Sequence, residues 1–432
     1  MLELINRARL DPQAEAARFG ISLNDGLAAG TISSTPKAPL AFNSDLNESA
    51  AGHSSWMLAA DVFSHTGSGG SNSATRMKNA GYVFTGSWGS GENIAWRGTT
   101  STLNITQSIY EQHKSLFLSA GHRKNTMGDF REIGIAQEIG GFTQNGTTFN
   151  SSMITQNFAR SGTNAFITGV EYNDLDKDGF YDVGEQRSGI VVDWLGNSGG
   201  AVTTAAAGGY AVKIPLGLTG SANVAVTVGS TVINASLSMT GTNVKLDLLD
   251  GRVLGSSTSL TLGSGGSDAF LLGMSNSSLT GNGANNVLKG NVGSNALTGM
   301  GGNDTLRGNG GGDRLDGGAG LDTLTGGAGS DQFIFRSTGD SGTTSTNCDI
   351  ITDFAKGADD IVVSSIDANV NLTGDQAFAL DTNGSFSTGE IRQTVTSSGL
   401  FIQFNTDSDS TPEMALILRG VTSALAASDF IL

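Results

Sequence analysis

Residues Gly281 to Ile334 read GNGANNVLK, GNVGSNALT, GMGGNDTLR, GNGGGDRLD, GGAGLDTLT and GGAGSDQFI, six nine-residue units in succession with no insertion or deletion. Each approximates glycine, glycine or Asn, any residue, glycine, any residue, Asp or Asn, any residue, an apolar residue, any residue. A fixed short period signals a solenoid, in which each repeat packs on its neighbours. A flexible linker is also rich in Gly, Ser, Asn and Asp, but it has no reason to keep an apolar residue at every ninth position. Glycines adopt backbone angles that other residues avoid, so each half-unit can turn with its carbonyls aimed at a shared centre. The sixth-position side chains, Asn286, Asn295, Asp304, Asp313, Asp322 and Asp331, add hard oxygens to the same turn, a setting suited to calcium. An uncharged amide holds calcium less tightly, so occupied sites are expected in the last four units, with the first two as a weaker cap. Leu288, Leu297, Leu306, Leu315, Leu324 and Phe333 form the eighth-position ladder, pointing inward from short strands.

These units resemble the RTX calcium-binding repeat, whose nonapeptides make one coil of a parallel β-roll per pair. The rest of the chain is read outward from that roll.

A chain of 432 residues suggests two to four domains. Its 63 glycines against 5 prolines fit repeats and turn-rich β structure. The net charge of -16 argues against nucleic acid, whose phosphates demand basic stripes. Cys348 is the only cysteine, which excludes an intramolecular disulfide and a Cys-based zinc site. The opening MLELINRARLDPQAEAARFG scatters charge where a secretory signal peptide would have an apolar core, and no apolar run is long enough for a membrane-spanning helix.

In the N-terminal third, Leu2, Ile5 and Ala8 fall at helical spacing before Pro12. Leu46, Ala50, His53 and Met57 make a second stripe, and Ile105, Ile109, His113 and Leu116 a third. FREIGIAQEIG and SSMITQNFAR read as an antiparallel pair around Asn145-Gly146, so the class is α+β. The segments NRAR (6–9), LNESAAGHSSWM (46–57), FSHTG (63–67), RMKNAGY (76–82), GENIAW (91–96), SAGHRKNTM (119–127), EIGIA (132–136) and TQNFA (155–159) resemble, in order, a bacterial member of the CAP superfamily of SCP/PR-1-like domains. The resemblance implies an α-β-α sandwich whose cleft gathers two histidines and one or two glutamates, here His65, Glu92 and His122. Glu111 is nearest to the second glutamate, but two residues from Ile109 it turns off the apolar stripe. Two neutral imidazoles can share a divalent metal such as zinc while a carboxylate orients a ring. The same trio can act as a general acid/base pair. His53 and His113, on apolar stripes, read as hydrogen-bonded structural histidines. Members of this superfamily are variously described as binding lipids or sterols, binding metals, or acting on cell walls and partners. There is no HExxH zinc-protease helix and no phosphate-cradling GxxxxGK[ST].

After Gly162 the helical period stops. FITGVEY and IVVDW read as strands flanking DLDKDGFYDVGE, which fills every position of a twelve-residue calcium loop. Asp174, Asp176, Asp178 and Asp182 take positions 1, 3, 5 and 9, the Phe180 carbonyl position 7, and Glu185 the bidentate position 12. A merely solvated acidic turn leaves Glu185 unexplained. No helices flank the loop, so an EF-hand switch is not expected. YAVKIPL, VAVTVG and TNVKLDL suggest an antiparallel β-sandwich, and the region resembles the SdrD B-like domains of surface proteins. That resemblance implies a spacer stiffened by calcium.

Past the repeats, DQFIFRSTGDSG, CDIITDFAKGADDIVVSSIDAN, GDQAFAL, GEIRQ and SDFIL resemble the C-terminal domain of serralysin-type metalloproteases. The protease half is missing, so its activity is not implied. What the resemblance implies is export through a type I ABC exporter guided by an uncleaved C-terminal signal, here Asp429, Phe430, Ile431 and Leu432. Export needs an open chain, and extracellular calcium modules bind at about 0.1 to 1 mM, so folding can wait for calcium outside. Cys348 fits a protein that does not rely on oxidative folding.

The expected architecture is multidomain α+β and all-β: a CAP-like α-β-α sandwich (1–162), an antiparallel β-sandwich with a calcium loop (163–250), a lead-in (251–280), the parallel β-roll (281–334) and a serralysin-like domain (335–432). The expected function is that of a bacterial calcium-binding protein, secreted or retained at the cell surface, whose His65, Glu92 and His122 cleft takes an extracellular lipid, glycan or protein. Calcium is the expected cofactor, with zinc or another divalent ion in the cleft. The rival readings are a metal-dependent hydrolase using the same cleft and a matrix adhesin in which the cleft is vestigial.

Overall fold

Asn145 and Gly146 both take positive φ, 51° and 80°, the two-residue turn that joins strands of matching twist. They close a long hairpin in a computed structural model that describes residues 1–196 and 200–432. Two units are distinguished, residues 1–220 with 239–250, and residues 221–238 with 251–432.

The first unit opens with α1 (Leu2–Leu10), α2 (Pro12–Arg18), β1 (Ala41–Phe42), α3 (Ser44–Ala59), α4 (Ser73–Asn79), β2 (Gly89–Thr99), α5 (Ile105–Leu118), α6 (Ala120–Thr126), β3 (Glu132–Gln144) and β4 (Thr147–Arg160). Asn43, Asn72 and Asn104 cap α3, α4 and α5 by accepting from backbone N–H groups of the first turn. The sheet runs β1-β3-β4-β2, which leaves β2 at an edge. Alternation along β4 makes the sandwich. Met153 packs with Met57, Thr155 meets Ser54 and Asn157 meets Ser49, all on α3. Ser152 meets Gln112 of α5, and Phe158 packs with Ile5 of α1. Gly134 on β3 lets α3 approach, since a Cβ there would lie 2.0 Å from the Leu46 carbonyl carbon. The buried face of α5 is Ser108, Gln112, His113, Leu116 and Phe117, one step round from the expected stripe, and Ile105 is exposed.

The same unit continues with β5 (Asn164–Tyr172), β6 (Val191–Trp194), β7 (Val202–Thr203) and β8 (Gly209–Pro215). After β9 (Thr219–Val228) and β10 (Thr231–Thr240), which lie mainly in the second unit, it ends with β11 (Val244–Leu249). β8 runs antiparallel to β5, but β11 runs parallel to it, so this sheet is mixed rather than antiparallel throughout. Polar ties hold it to the CAP-like sheet: Asn243 donates from Nδ2 to the Pro39 and Arg131 carbonyls, and Lys245 pairs with Glu3 at 2.7 Å.

In the second unit two parallel rows stack. One runs β12 (Val253–Ser256), β14 (Asp268–Leu271), β16 (Val287–Lys289), β18 (Thr305–Gly310), β20 (Thr323–Ala328) and β22 (Asp349–Ile351). The other runs β13 (Leu260–Leu262), β15 (Ser278–Thr280), β17 (Ala296–Thr298), β19 (Arg314–Asp316), β21 (Gln332–Ile334) and β23 (Asp360–Val362). Leu288 pairs with Leu306 and Leu306 with Leu324, so one coil consumes two nonapeptides. All six eighth-position residues are 0% exposed, and each such burial contributes roughly 1.5–3 kcal/mol. Beyond the array, β24 (Ala379–Leu380) and β25 (Glu390–Thr396) lead into β26 (Gly399–Phe404) and β27 (Met414–Arg419). β27 pairs with β22, and β28 (Phe430–Ile431) with β23, which puts Phe430 against Ile361. Among the described residues no helix is long and apolar enough to cross a membrane.

Candidate functional site

The open edge of β2 is where the cleft residues meet. Glu92 sits on the α3 face of that strand, paired across it with Asn157. His65 follows α3 and places Nδ1 2.9 Å from Glu92 Oε1, while Arg76 of α4 donates to Glu92 Oε2 and to the Ser71 carbonyl. His122 of α6 arrives from the opposite face, its ring 6.3 Å from that of His65 and its Nδ1 2.9 Å from Ser119 Oγ. With both Nδ1 atoms engaged, Nε2 is the ring nitrogen each histidine has for a ligand. Burial and the neighbouring His65 lower the His122 pKa, which favours the neutral, ligating form. Asn125 donates to the Glu92 carbonyl and to Asn93, which ties α6 to β2.

Glu111 does not join this group. Its carboxylate lies 3.8 Å from Arg97. The two histidines read as structural have structural partners. His53 meets the Ser64 carbonyl at 2.9 Å, and His113 meets Glu15 at 2.8 Å. Burial would raise Glu15, but hydrogen bonds from His113 and Arg7 bring it down to about 2.

The loop from Asp174 to Glu185 folds on itself around its own oxygens. Carboxylate oxygens of Asp174, Asp176 and Glu185 lie within 4.8 Å of one another, as do those of Asp176, Asp178 and Asp182. Glu185 accepts from Leu175 and Asp182 N–H groups at 2.7 and 2.9 Å, which holds position 12 across the loop. Asp174 Oδ1 is buried without a partner, and burial with the carboxylates of Asp178, Glu185 and Asp176 pushes Asp182 up. A divalent cation answers both strains, so the donor set fits calcium.

In the roll, each sixth-position carboxylate is half used. Asp304 Oδ1 accepts from the Asn286 N–H, Asp313 from Asn295, Asp322 from Asp304 and Asp331 from Asp313, at 2.7 to 2.8 Å. The Oδ2 atoms of all four aspartates are buried with no partner. Asn286 and Asn295 differ: their Oδ1 atoms, set against the first glycine as the aspartate Oδ2 atoms are, accept from the Asn282 and Asn291 N–H groups at 2.8 and 2.7 Å, and their Nδ2 groups donate to the Ser267 and Ser277 carbonyls at 2.6 and 3.2 Å, so neither amide leaves an orphaned oxygen. The first glycine of each unit makes room, since a Cβ at Gly308 would lie 2.1 Å from Asp313 Oδ2.

Two ladder members escaped the sequence reading. Asp349 Oδ1 accepts from the Asp322 N–H and Asp359 Oδ1 from the Asp331 N–H, at 2.8 and 3.0 Å, and Asp349 Oδ2 is orphaned like the others. Their spacing stretches from 18 residues to 27 and 28, which hides the period. A further acidic group, Asp407, Asp409 and Glu413, gathers before β27.

Comparison with known proteins follows these parts. Residues 2–158 match the model of the Cysteine-rich secretory protein family, CAP. Among solved structures, the chain is similar to the AlgE6R3 and AlgE6R2 subunits of the Azotobacter vinelandii mannuronan C5-epimerase. The identities are 30% and 29%, covering 35% and 34% of this chain and 79% and 88% of those, with TM-scores of 0.28 and 0.27. No curated protein matches. A CAP domain combined with an RTX-type C-terminal region is the make-up of a secreted calcium-binding protein. Residues 114–432, most of the chain, match the model described as Peptidase M10 serralysin C terminal, and the chain belongs to that family.

Proposed function

We propose that the CAP domain is the effector and binds an extracellular ligand, a lipid, glycan or protein, at the cleft of His65, Glu92 and His122, through a divalent ion such as zinc shared by the two rings. The observation that carries this reading is the engagement of both Nδ1 atoms, by Glu92 and by Ser119. A histidine whose second nitrogen is held by a carboxylate is oriented as metal-ligating histidines are. Arg76 occupies the other Glu92 oxygen, which leaves that carboxylate an orienting group and argues for binding over acid/base chemistry. The test is zinc titration of the full chain against the His65→Ala, His122→Ala double variant, with mass spectrometry of co-purified lipid. One zinc lost in the variant supports the reading; equal uptake by both chains sinks it.

The calcium ligands are Asp174, Asp176, Asp178, Asp182, Glu185 and the Phe180 carbonyl in the loop, and Asp304, Asp313, Asp322 and Asp331 in the roll, joined by Asp349 and Asp359. Export through a type I system fits a roll that is complete only with metal. Folding ties down the first half of the proposed signal, because Phe430 is 6% exposed and Asp429 accepts from the Gly357 N–H, while Ile431 stays 37% exposed. An exporter therefore reads Asp429 and Phe430 on the open chain, and calcium outside the cell drives the folding that tucks them in.

A further inference from the structure

A pocket of about 350 Å³ opens in the first unit where the start of α1 meets the β5–β8 sheet, and it shares no residue with the His65 cleft. Leu2, Phe42, Tyr210 and Ala211 line it, together with Tyr181 and Val183 from the calcium loop. Those last two are loop positions 8 and 10, so they flank Asp182, whose N–H is held by Glu185 Oε2 at 2.9 Å. Next to them, the Phe180 ring lies 4.8 Å from the Arg7 guanidinium of α1. The residues that would grip calcium therefore also set the backbone of one pocket wall.

The rim is unfinished. Phe42 and Val183 are 48% and 62% exposed, large apolar side chains that no protein neighbour covers. The volume lies at the small end of the range for ligand pockets, roughly 300–1,000 Å³. Charge narrows the occupant further. Among the described residues Glu3 is the only side chain with a carboxylate in the lining, which holds no Lys or Arg, and burial pushes the Glu171 carboxyl on the neighbouring strand β5 up to about 8, so that group is largely neutral. Lys245 is committed to Glu3 and Asp247, and Arg187 to Glu171 at 3.1 Å. A carboxylate or phosphate would lose its hydration in this apolar lining with no uncommitted Lys or Arg to replace it, which favours a neutral molecule.

We infer that this pocket binds a compact apolar molecule lacking negative charge, and that calcium in the 174–185 loop firms its wall, so that calcium and the molecule bind cooperatively. Linkage makes the coupling reciprocal: each raises the affinity of the other by the same factor.

The probe is N-phenyl-1-naphthylamine, a neutral dye that brightens in apolar surroundings, titrated into the full chain in calcium. Saturable one-to-one binding is expected. In the Asp176→Asn, Glu185→Gln loop variant, whose roll still loads with calcium, affinity should fall about fivefold or more. Filling the pocket with Ala211→Trp should weaken the dye about tenfold or more, and so should Val183→Asp, which changes an exposed position and keeps the fold should the tryptophan variant not. The anionic naphthalene sulfonate analogue should bind more weakly than the neutral dye. Wild-type affinity in Val183→Asp would overturn the site, wild-type affinity in the loop variant would overturn the coupling to calcium, and tighter binding of the anionic dye would overturn the ligand class.

Discussion

Asn286 and Asp304 are nearly the same shape, yet they do opposite things at equivalent turns. The amide closes its turn, its oxygen accepting from the Asn282 N–H and its Nδ2 donating to the Ser267 carbonyl; the carboxylate leaves the equivalent oxygen buried and bare. Replacing Asn286 with Asp should therefore add one calcium per chain by isothermal titration and cost the calcium-free roll about 1–3 kcal/mol in urea unfolding. Met300 stands at the second position of its unit with φ 81°, where the next unit has Asn309 and the last two have Gly318 and Gly327, all with positive φ. Met300→Gly should stabilise the roll by up to about 1 kcal/mol, read by the same unfolding curve. Burial pushes the ladder carboxylates up, to about 6 for Asp304 and Asp313, about 7 for Asp322 and about 8 for Asp349, from an ordinary 3.8. Without metal the folded roll thus holds protons that the unfolded chain releases, so its stability grows as pH falls from 8 toward 4 and is lost as pH rises through 6 to 8. Calcium needs the deprotonated groups, so the calcium midpoint of folding should move to higher calcium at pH 5.5 than at pH 8, followed by circular dichroism.

At the scale of elements, the edge strand β2 is the organising piece of the cleft, because helices on both faces of the sheet can reach it only there. Glu92→Gln should loosen both His65 and Arg76 and lower divalent-ion affinity about 10–100-fold while the CAP fold persists. Much of this was legible in advance. Helical stripes located α1, α3 and α5, Asn145-Gly146 announced the β3–β4 hairpin, and the nine-residue period announced the roll with its Leu288-to-Phe333 ladder. Three things were not legible, each for a physical reason. The Arg76 contact with Glu92 is a tertiary ion pair between an α4 side chain and a strand, and no local pattern encodes it. The parallel pairing of β11 with β5 depends on chain direction, whereas alternation reports only which face is buried. Asp349 and Asp359 continue the ladder after longer connections that break the period.

For the whole molecule, calcium divides the chain into a part that folds without it and a part that does not. The CAP sandwich is closed by apolar packing, with Met57, Met153, Phe158 and Ile5 buried, and needs no ion to satisfy its core. The roll instead buries five aspartate oxygens without a protein partner, of Asp304, Asp313, Asp322, Asp331 and Asp349, which a divalent cation would satisfy in their ionised form. The most direct measurement is hydrogen exchange along the full chain at millimolar calcium and then with a chelator. The account predicts that strands from 305 onward lose protection on chelation while β3 and β4 keep theirs. Protection of the strands between 305 and 362 that is the same with and without calcium would contradict it.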